Sequence, residues 1–189
     1  MSSRNIKINR EEYFVLYKEK QIRSRIALMA MNLKAYWEKD KTPLVLLKVE
    51  IGGDYFCADL SRELDKLKVD HYVETIRVKS YHDNKQRDNE ITILNKPYLK
   101  NIKGKRVVIV EDLIDEGITM LGIINYLRNL KRPPAEIRVC ALLVKRGHKF
   151  NHPIHYAGFK NVLNTWLFGY GMDLDNFKRG KKNIYAKIN

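Results

Sequence analysis

Apolar and polar positions along the chain follow two periods, which predict a mixture of helices and strands. Within residues 11–37, apolar side chains recur at the spacing of a helix, at Ile22, Ile26, Met29, Ala30 and Leu33. Helices are also predicted at 55–67 and 118–130, and strands at 44–51, 72–81, 91–94, 105–113 and 136–145. This alternation predicts an α/β domain whose central sheet is mainly parallel.

Several candidate binding segments follow predicted strands directly. Gly52-Gly53, the acidic loop at 111–119 and Lys145 each lie where a strand ends. Ligands of open α/β sheets bind outside the carboxyl ends of the strands, so these three segments are expected to converge on one site. The polar segment 82–90 is predicted to be a loop.

The charge of the chain narrows the class of partner. With 36 Lys and Arg residues against 22 Asp and Glu residues, the net charge is +14, which favours a polyanionic substrate or a nucleic acid. The chain contains no RNP-like aromatic motif, zinc finger or basic heptad. It also has neither a membrane-length apolar run nor a secretory signal, so we expect a cytoplasmic protein with two buried thiols, Cys57 and Cys140.

The stretch RVVIVEDLIDEGITM, residues 106–120, carries the densest candidate chemistry. Glu111 and Asp112 end an apolar run, Asp115 follows, and Gly117 permits close backbone approach. Backbone N–H groups at the start of the next helix can bind a phosphate, and Thr119 can add a hydroxyl. The acids beside it can hold ribose hydroxyls or Mg²⁺. The alternative is that Asp112 and Asp115 only cap the helix, which explains less well why adjacent acids end so apolar a run.

These residues carry a resemblance to a known family. VVIVEDLIDEGITM resembles the phosphoribosyl-pyrophosphate signature of type I phosphoribosyltransferases. ALLVKR and FGYGMDLDNFKR, in the C-terminal half, are similar to hypoxanthine-guanine phosphoribosyltransferases, as are GGDYFCADL and RVKSY further upstream. The resemblance runs from about residue 20 to about 188. It implies one phosphoribosyltransferase domain over 1–189, with a mobile lid at about 80–92. A small hood would be formed by terminal segments, and its C-terminal, purine-binding part would lie at about 150–189.

The resemblance also implies a reaction and a set of site residues. The enzyme would transfer the phosphoribosyl group of 5-phosphoribosyl-1-pyrophosphate to N9 of hypoxanthine or guanine, giving IMP or GMP and pyrophosphate. Asp115 would be the catalytic base, and Ser80 and Tyr81 would belong to the lid. The sugar phosphate and pyrophosphate would contact Glu111, Asp112, Glu116, Gly117, Ile118, Thr119, Gly52, Gly53 and Arg179. The purine would contact Lys145, Trp166, Leu167 and Asp173, and Mg²⁺ would bind Glu111, Asp112 and Asp173.

The sequence departs from the family pattern at three positions. Glu116 stands where the family usually has a small hydroxyl residue, and Ile118 where a Lys often precedes the Thr. Ile51 takes the place of the usual Lys before Gly-Gly, with Lys48 three residues earlier. Because each change removes a cation or hydroxyl or adds a carboxylate, we expect weaker binding of the sugar pyrophosphate or a changed pattern of contacts with it, rather than loss of the chemistry.

Two other functions stay open from the residues alone. A phosphoribosyltransferase-like regulator would bind nucleic acid and sense the sugar pyrophosphate, and the charge of +14 favours it. An enzyme of the same fold acting on xanthine or a pyrimidine is the third reading. By resemblance we expect a homodimer or homotetramer.

Overall fold

The computed structural model describes residues 5–8, 10–80 and 91–188. In chain order its elements are β1 (Ile6–Ile8), β2 (Glu11–Tyr17), α1 (Glu19–Trp37), β3 (Leu44–Glu50), α2 (Asp54–Lys66), β4 (His71–Ser80), β5 (Ile91–Asn95), α3 (Leu99–Ile102), β6 (Arg106–Ile114), α4 (Ile118–Arg128), β7 (Glu136–Lys145), β8 (Tyr156–Val162), β9 (Leu167–Phe168) and β10 (Ile184–Lys187).

The larger sheet has the strand order β5-β4-β3-β6-β7-β8. Neighbours from β4 to β8 pair in parallel, and only the edge strand β5 runs antiparallel. Helices α1 and α2 cover one face of this sheet, and α4 covers the other, so apolar strands such as β3 and β6 are buried on both sides. The predicted α/β architecture with a mainly parallel sheet is confirmed.

The smaller sheet joins the two ends of the chain. Its order is β1-β2-β10-β9, and all of its pairs are antiparallel. Strand β8 pairs with β7 in the larger sheet, so the C-terminal contribution to the smaller sheet comes from β9 and β10. We call this sheet, with the segment 169–183 that connects β9 to β10, the hood.

The helical reading of residues 11–37 was wrong at its start. Glu11–Tyr17 is the strand β2, and α1 begins at Glu19. The Tyr13 ring packs edge-on against Phe168, with ring centroids 5.1 Å apart, and β2 pairs with β10. Besides the neighbouring strand β1, the contacts that make this segment a strand therefore lie more than 150 residues away along the chain, where a local period cannot register them.

The stability of the sheet core can be tested at Leu46, which is fully buried in β3. We expect Leu46→Ala to lower the free energy of unfolding by about 2–5 kcal/mol, because it removes apolar contacts and leaves a cavity. Urea denaturation measures this change. The matched control is Leu28→Ala in α1, whose side chain is 51% exposed and which should change stability by no more than about 0.5 kcal/mol. Equal losses for the two variants would contradict the proposed core.

Candidate active site

Two adjacent carboxylates, Glu111 and Asp112, are buried near the carboxyl end of the central strand β6, which continues past them to Ile114. They are 8% and 7% exposed. Burial raises the pKa of Glu111 well above its usual range, and the charge of Asp112 adds to the rise. Burial also raises the pKa of Asp112, although its hydrogen bonds and the charge of Arg179 oppose this. Such a pair is stable only with a proton, a cation or hydrogen-bond donors beside it.

The loop after β6 leads into α4 through Gly117, which has a φ of 89°. A Cβ built there would lie 2.3 Å from Cβ of Phe150, so both the backbone conformation and the available space require glycine. The first N–H groups of α4 have no partner within the helix. They lie beside a cleft of about 570 Å³, here called the loop cleft, which is lined by Glu111, Asp115, Glu116, Ile118, Thr119 and Asn164 among others.

The loop cleft has an unusual charge for a phosphate site. Among the described residues that line it, the charged ones are Glu50, Glu111, Asp115 and Glu116, and all are acidic. The Glu116 side chain is exposed, which keeps its carboxylate in contact with water. A bare phosphate entering this cleft therefore gains backbone N–H donors but meets four carboxylates.

A second cleft, of about 480 Å³, lies under the hood and is called the hood cleft. Its basic lining residues are Arg77, Lys79, Lys145 and Arg179, and its acidic ones are Glu50, Asp112, Asp115 and Asp173. Trp166, Leu167, Gly52 and Leu113 complete much of its wall. Because Glu50, Leu113 and Asp115 line both clefts, the two form one continuous candidate site.

Lys145 and Asp115 form an ion pair between the two clefts. The Lys145 Nζ donates to Oδ2 of Asp115 at 2.6 Å. The lysine is 9% exposed, whereas the carboxylate is more than half exposed. The predicted catalytic base and the predicted purine lysine thus neutralise each other in this structure, and a ligand must exchange with one of them.

The backbone at Gly52 lies unusually close both to the side chain of Asp112 and to the hood. A Cβ on Gly52 would lie 2.2 Å from Oδ2 of Asp112, and one on Gly171 would lie 2.1 Å from the Gly52 carbonyl oxygen. The Arg179 guanidinium donates to the Gly171 carbonyl at 2.8 Å and to Oδ1 of Asp173 at 2.7 Å. These contacts hold Arg179 above the buried acids.

The structure brings most of the predicted site residues together. The exceptions are Gly53, which lines neither cleft, and Ser80, which ends β4 and whose side chain is not described. Tyr81 and most of the predicted lid lie outside the described residues. Ile51 lines the hood cleft, while Lys48 is paired with Asp54 at 2.8 Å and lines neither cleft.

Sequence reasoning missed Glu50, Leu113, Met172 and Asn164, which also line the clefts. Glu50 is an acid at the last position of the apolar strand β3, and that signal was present in the sequence. Leu113 lies between the acids of the loop, so its position was readable as well. Asn164 and Met172 carry no comparable signal, because both reach the site from irregular segments near the hood.

Comparison with known proteins decides the family. A model of the phosphoribosyl transferase domain matches residues 16–175. The chain belongs to the phosphoribosyl transferase family. Hypoxanthine-guanine-xanthine phosphoribosyltransferase of Tritrichomonas foetus is 39% identical, over 91% of this chain and 93% of that protein. Hypoxanthine phosphoribosyltransferase of Escherichia coli K12 is 31% identical, over 84% and 86%.

Comparison with a solved structure shows that the similarity extends from the sequence to the fold. Trypanosoma cruzi hypoxanthine phosphoribosyl transferase superposes with a TM-score of 0.82 at 29% identity, over 92% of this chain and 90% of that one. The type I phosphoribosyltransferase fold expected from the sequence, including the hood built from terminal segments, is confirmed.

The energetic cost of burying the two acids can be tested by measuring the free energy of unfolding as a function of pH. A carboxyl whose pKa is raised on folding keeps a proton that the unfolded chain has released, so stability falls as pH rises above the ordinary value of 4.5. We expect Glu111→Gln to raise the free energy of unfolding at pH 8 by about 0.5–2 kcal/mol, with the gain shrinking toward pH 4.5.

Urea titrations in Mg²⁺-free buffer across this pH range measure the effect of Glu111→Gln. The control, Glu116→Gln, changes an exposed acid of the same loop and should alter stability by less than about 0.5 kcal/mol at any pH. A Glu111→Gln variant that is less stable than the wild type at pH 8 would contradict the interpretation.

Proposed function

We propose that this phosphoribosyltransferase transfers the phosphoribosyl group of 5-phosphoribosyl-1-pyrophosphate to N9 of hypoxanthine or guanine. The products are IMP or GMP and pyrophosphate. The observation that carries the proposal is the hood cleft, where a buried lysine, an exposed indole and the Asp115 carboxylate line one space. The names of the T. foetus and E. coli relatives support a 6-oxopurine as the acceptor.

The purine would bind against Trp166, whose flat ring is 55% exposed within the hood cleft. Lys145 would donate to O6, while the carbonyls of Leu167 and Asp173 would lie toward the C2 edge. Binding of O6 draws Lys145 from the ion pair and frees Asp115 to accept the N7 proton as N9 attacks. The ion pair thus couples recognition of the base to release of the catalytic carboxylate.

The sugar would bind between the two clefts. Glu111 and Asp112 would accept hydrogen bonds from the ribose hydroxyls, which supplies the donors that a buried acid pair needs. The 5-phosphate would bind the N–H groups at the start of α4 and the Thr119 hydroxyl. Pyrophosphate would contact Arg179 and the Gly52 backbone, so that cationic and N–H groups stabilise the leaving group.

Mg²⁺ fits the residues present. Among the described residues, no three acidic, histidine or cysteine side chains converge on a ready-made metal site. Magnesium is commonly held by one or two carboxylates together with substrate oxygens. Glu111 and Asp112 offer such a pair, and bound Mg²⁺ would neutralise charge on pyrophosphate as it leaves. The Asp173 carboxylate is occupied by Arg179 in this structure, so its role as a ligand stays a prediction.

The three departures from the family pattern bear on the sugar phosphates. Glu116 and Ile118 lie in the loop cleft, and Ile51 in the hood cleft. Together they support weaker binding of the sugar pyrophosphate without loss of the chemistry, because Asp115 and Lys145 remain. Neither the geometry of the two clefts nor the names of the relatives support the nucleic-acid-binding regulator.

We also propose a homodimer or homotetramer. Support comes from the T. cruzi enzyme, in which the C-terminal region has a role in the oligomeric state and the enzymatic activity. No helix in the described ranges is long and apolar enough to cross a membrane. The cytoplasmic location, the extent of the lid and the limits of the hood stay predictions.

The function is tested directly by nucleotide formation. The protein is incubated with Mg²⁺, 5-phosphoribosyl-1-pyrophosphate and each of hypoxanthine, guanine, xanthine and adenine, and the products are followed by chromatography. We expect IMP and GMP to form. If no nucleotide formed with any of the four bases, the proposed enzymatic function would be refuted.

The role of Asp115 predicts a large kinetic effect. Asp115→Asn should lower kcat by roughly 10²–10⁴, because the amide cannot accept the N7 proton. Stopped assays at saturating substrates measure kcat. Asp175→Asn, an exposed acid in the hood, is the control and should keep kcat within about twofold. If Asp115→Asn lost less than about tenfold, another group would be the base.

The carboxylates of the loop cleft predict a gain of affinity. Glu116→Ser removes one of the four acidic side chains that line the loop cleft and introduces the small hydroxyl usual in the family. We expect the KM for 5-phosphoribosyl-1-pyrophosphate to fall by about three- to tenfold, with less effect at high salt. Steady-state kinetics at 20 mM and 500 mM salt, both roughly chosen to bracket physiological screening, measure this. An unchanged or higher KM at low salt would show that Glu116 points its charge away from the phosphate.

A further inference from the structure

Trp166 makes a hydrogen bond that a smaller aromatic residue could not make. Its indole Nε1–H donates to the main-chain carbonyl oxygen of Asp173 at 3.3 Å. Both residues line the hood cleft. Phenylalanine has no ring N–H, so tryptophan at this position supplies a donor beside a carbonyl that also borders the proposed base site.

The two partners are fixed from behind. The Trp166 carbonyl accepts from the backbone N–H of Lys187 at 3.0 Å, which ties the residue to β10. The Asp173 carboxylate accepts from Arg179 at 2.7 Å and from the backbone N–H of Asn176 at 2.9 Å. Because these contacts restrain both backbones, the donor and the carbonyl face each other in a defined geometry.

We propose that Trp166 determines specificity at position 2 of the purine, because its N–H donates to the Asp173 carbonyl that would face the substituent at this position. This inference rests on the proposed function, in which Lys145 binds O6. With O6 on Lys145, the N1–C2 side of the ring extends toward the residues of the hood. The substituent at C2 then meets a carbonyl whose hydrogen bond is already supplied by the indole.

The three 6-oxopurines differ at C2 in a way that this pair can distinguish. Guanine carries a 2-amino donor, which must share or displace the indole N–H at the Asp173 carbonyl and so gains less than at a free acceptor. Xanthine carries a 2-oxo acceptor, which the carbonyl repels, and the indole N–H lessens that repulsion because it already draws on the lone pairs of the carbonyl. Hypoxanthine has only hydrogen at C2 and is indifferent to the pair.

The test compares bases within each variant, so that general losses of activity cancel. Trp166→Phe keeps an aromatic ring but removes the N–H. We expect it to raise the kcat/KM of guanine relative to hypoxanthine by about fivefold, and to lower that of xanthine relative to hypoxanthine by about fivefold, as one hydrogen bond of ordinary net strength allows. Trp37→Phe removes the other indole, outside both clefts, and should leave both ratios unchanged.

A second measurement does not depend on a variant that must remain active. The indole N–H resonance of Trp166 in ¹⁵N-labelled protein is assigned by its loss in Trp166→Phe. GMP and XMP should shift this resonance differently from IMP, because their 2-substituents perturb the Asp173 carbonyl that accepts from the N–H. Equal shifts with all three nucleotides, or ratios within about twofold of wild type for either 2-substituted base, would overturn the role of Trp166. If the wild type turned over no purine at all, the proposed function would fail first.

Discussion

Two carboxylates that lie side by side inside the protein, Glu111 and Asp112, set the requirement that the rest of the site meets. Each has lost most of its contact with water, and the charge of Asp112 adds to the cost of ionising Glu111. The chain places them near the carboxyl end of a central strand, where burial on both faces of the sheet is unavoidable. A group that supplies cations or several hydroxyl donors relieves this strain, and a sugar pyrophosphate with Mg²⁺ would supply both.

The parallel sheet explains why the other site residues surround this pair. Strands β3 and β7 lie on either side of β6 and end at the same edge, so the Gly52 loop and Lys145 arrive beside the acids. The hood closes the remaining side, because β2 from one end of the chain pairs with β10 from the other. The close approach of Gly171 to the Gly52 carbonyl fixes how far the hood stands from the sheet.

Periodicity and spacing were enough to predict the central sheet and the acidic loop, because both depend on neighbours in sequence. They failed at residues 11–17, which form a strand by pairing with β1 and with the distant β10. They also could not show that Lys145 pairs with Asp115, or that Trp166 donates to Asp173, since both contacts depend on side-chain conformations in the folded protein. Glu50 was overlooked although it is the last residue of an apolar strand, because strand ends commonly carry charge without function.

The different charge characters of the two clefts have a consequence for the proposed reaction. The loop cleft is lined by carboxylates alone among its described charged residues, whereas the hood cleft balances four acids with four bases. Within the hood cleft, Oδ2 of Asp115 accepts a hydrogen bond from Lys145. In the proposed reaction a base with an acceptor at O6 draws the lysine away, so the carboxylate becomes available when the correct nucleophile is bound.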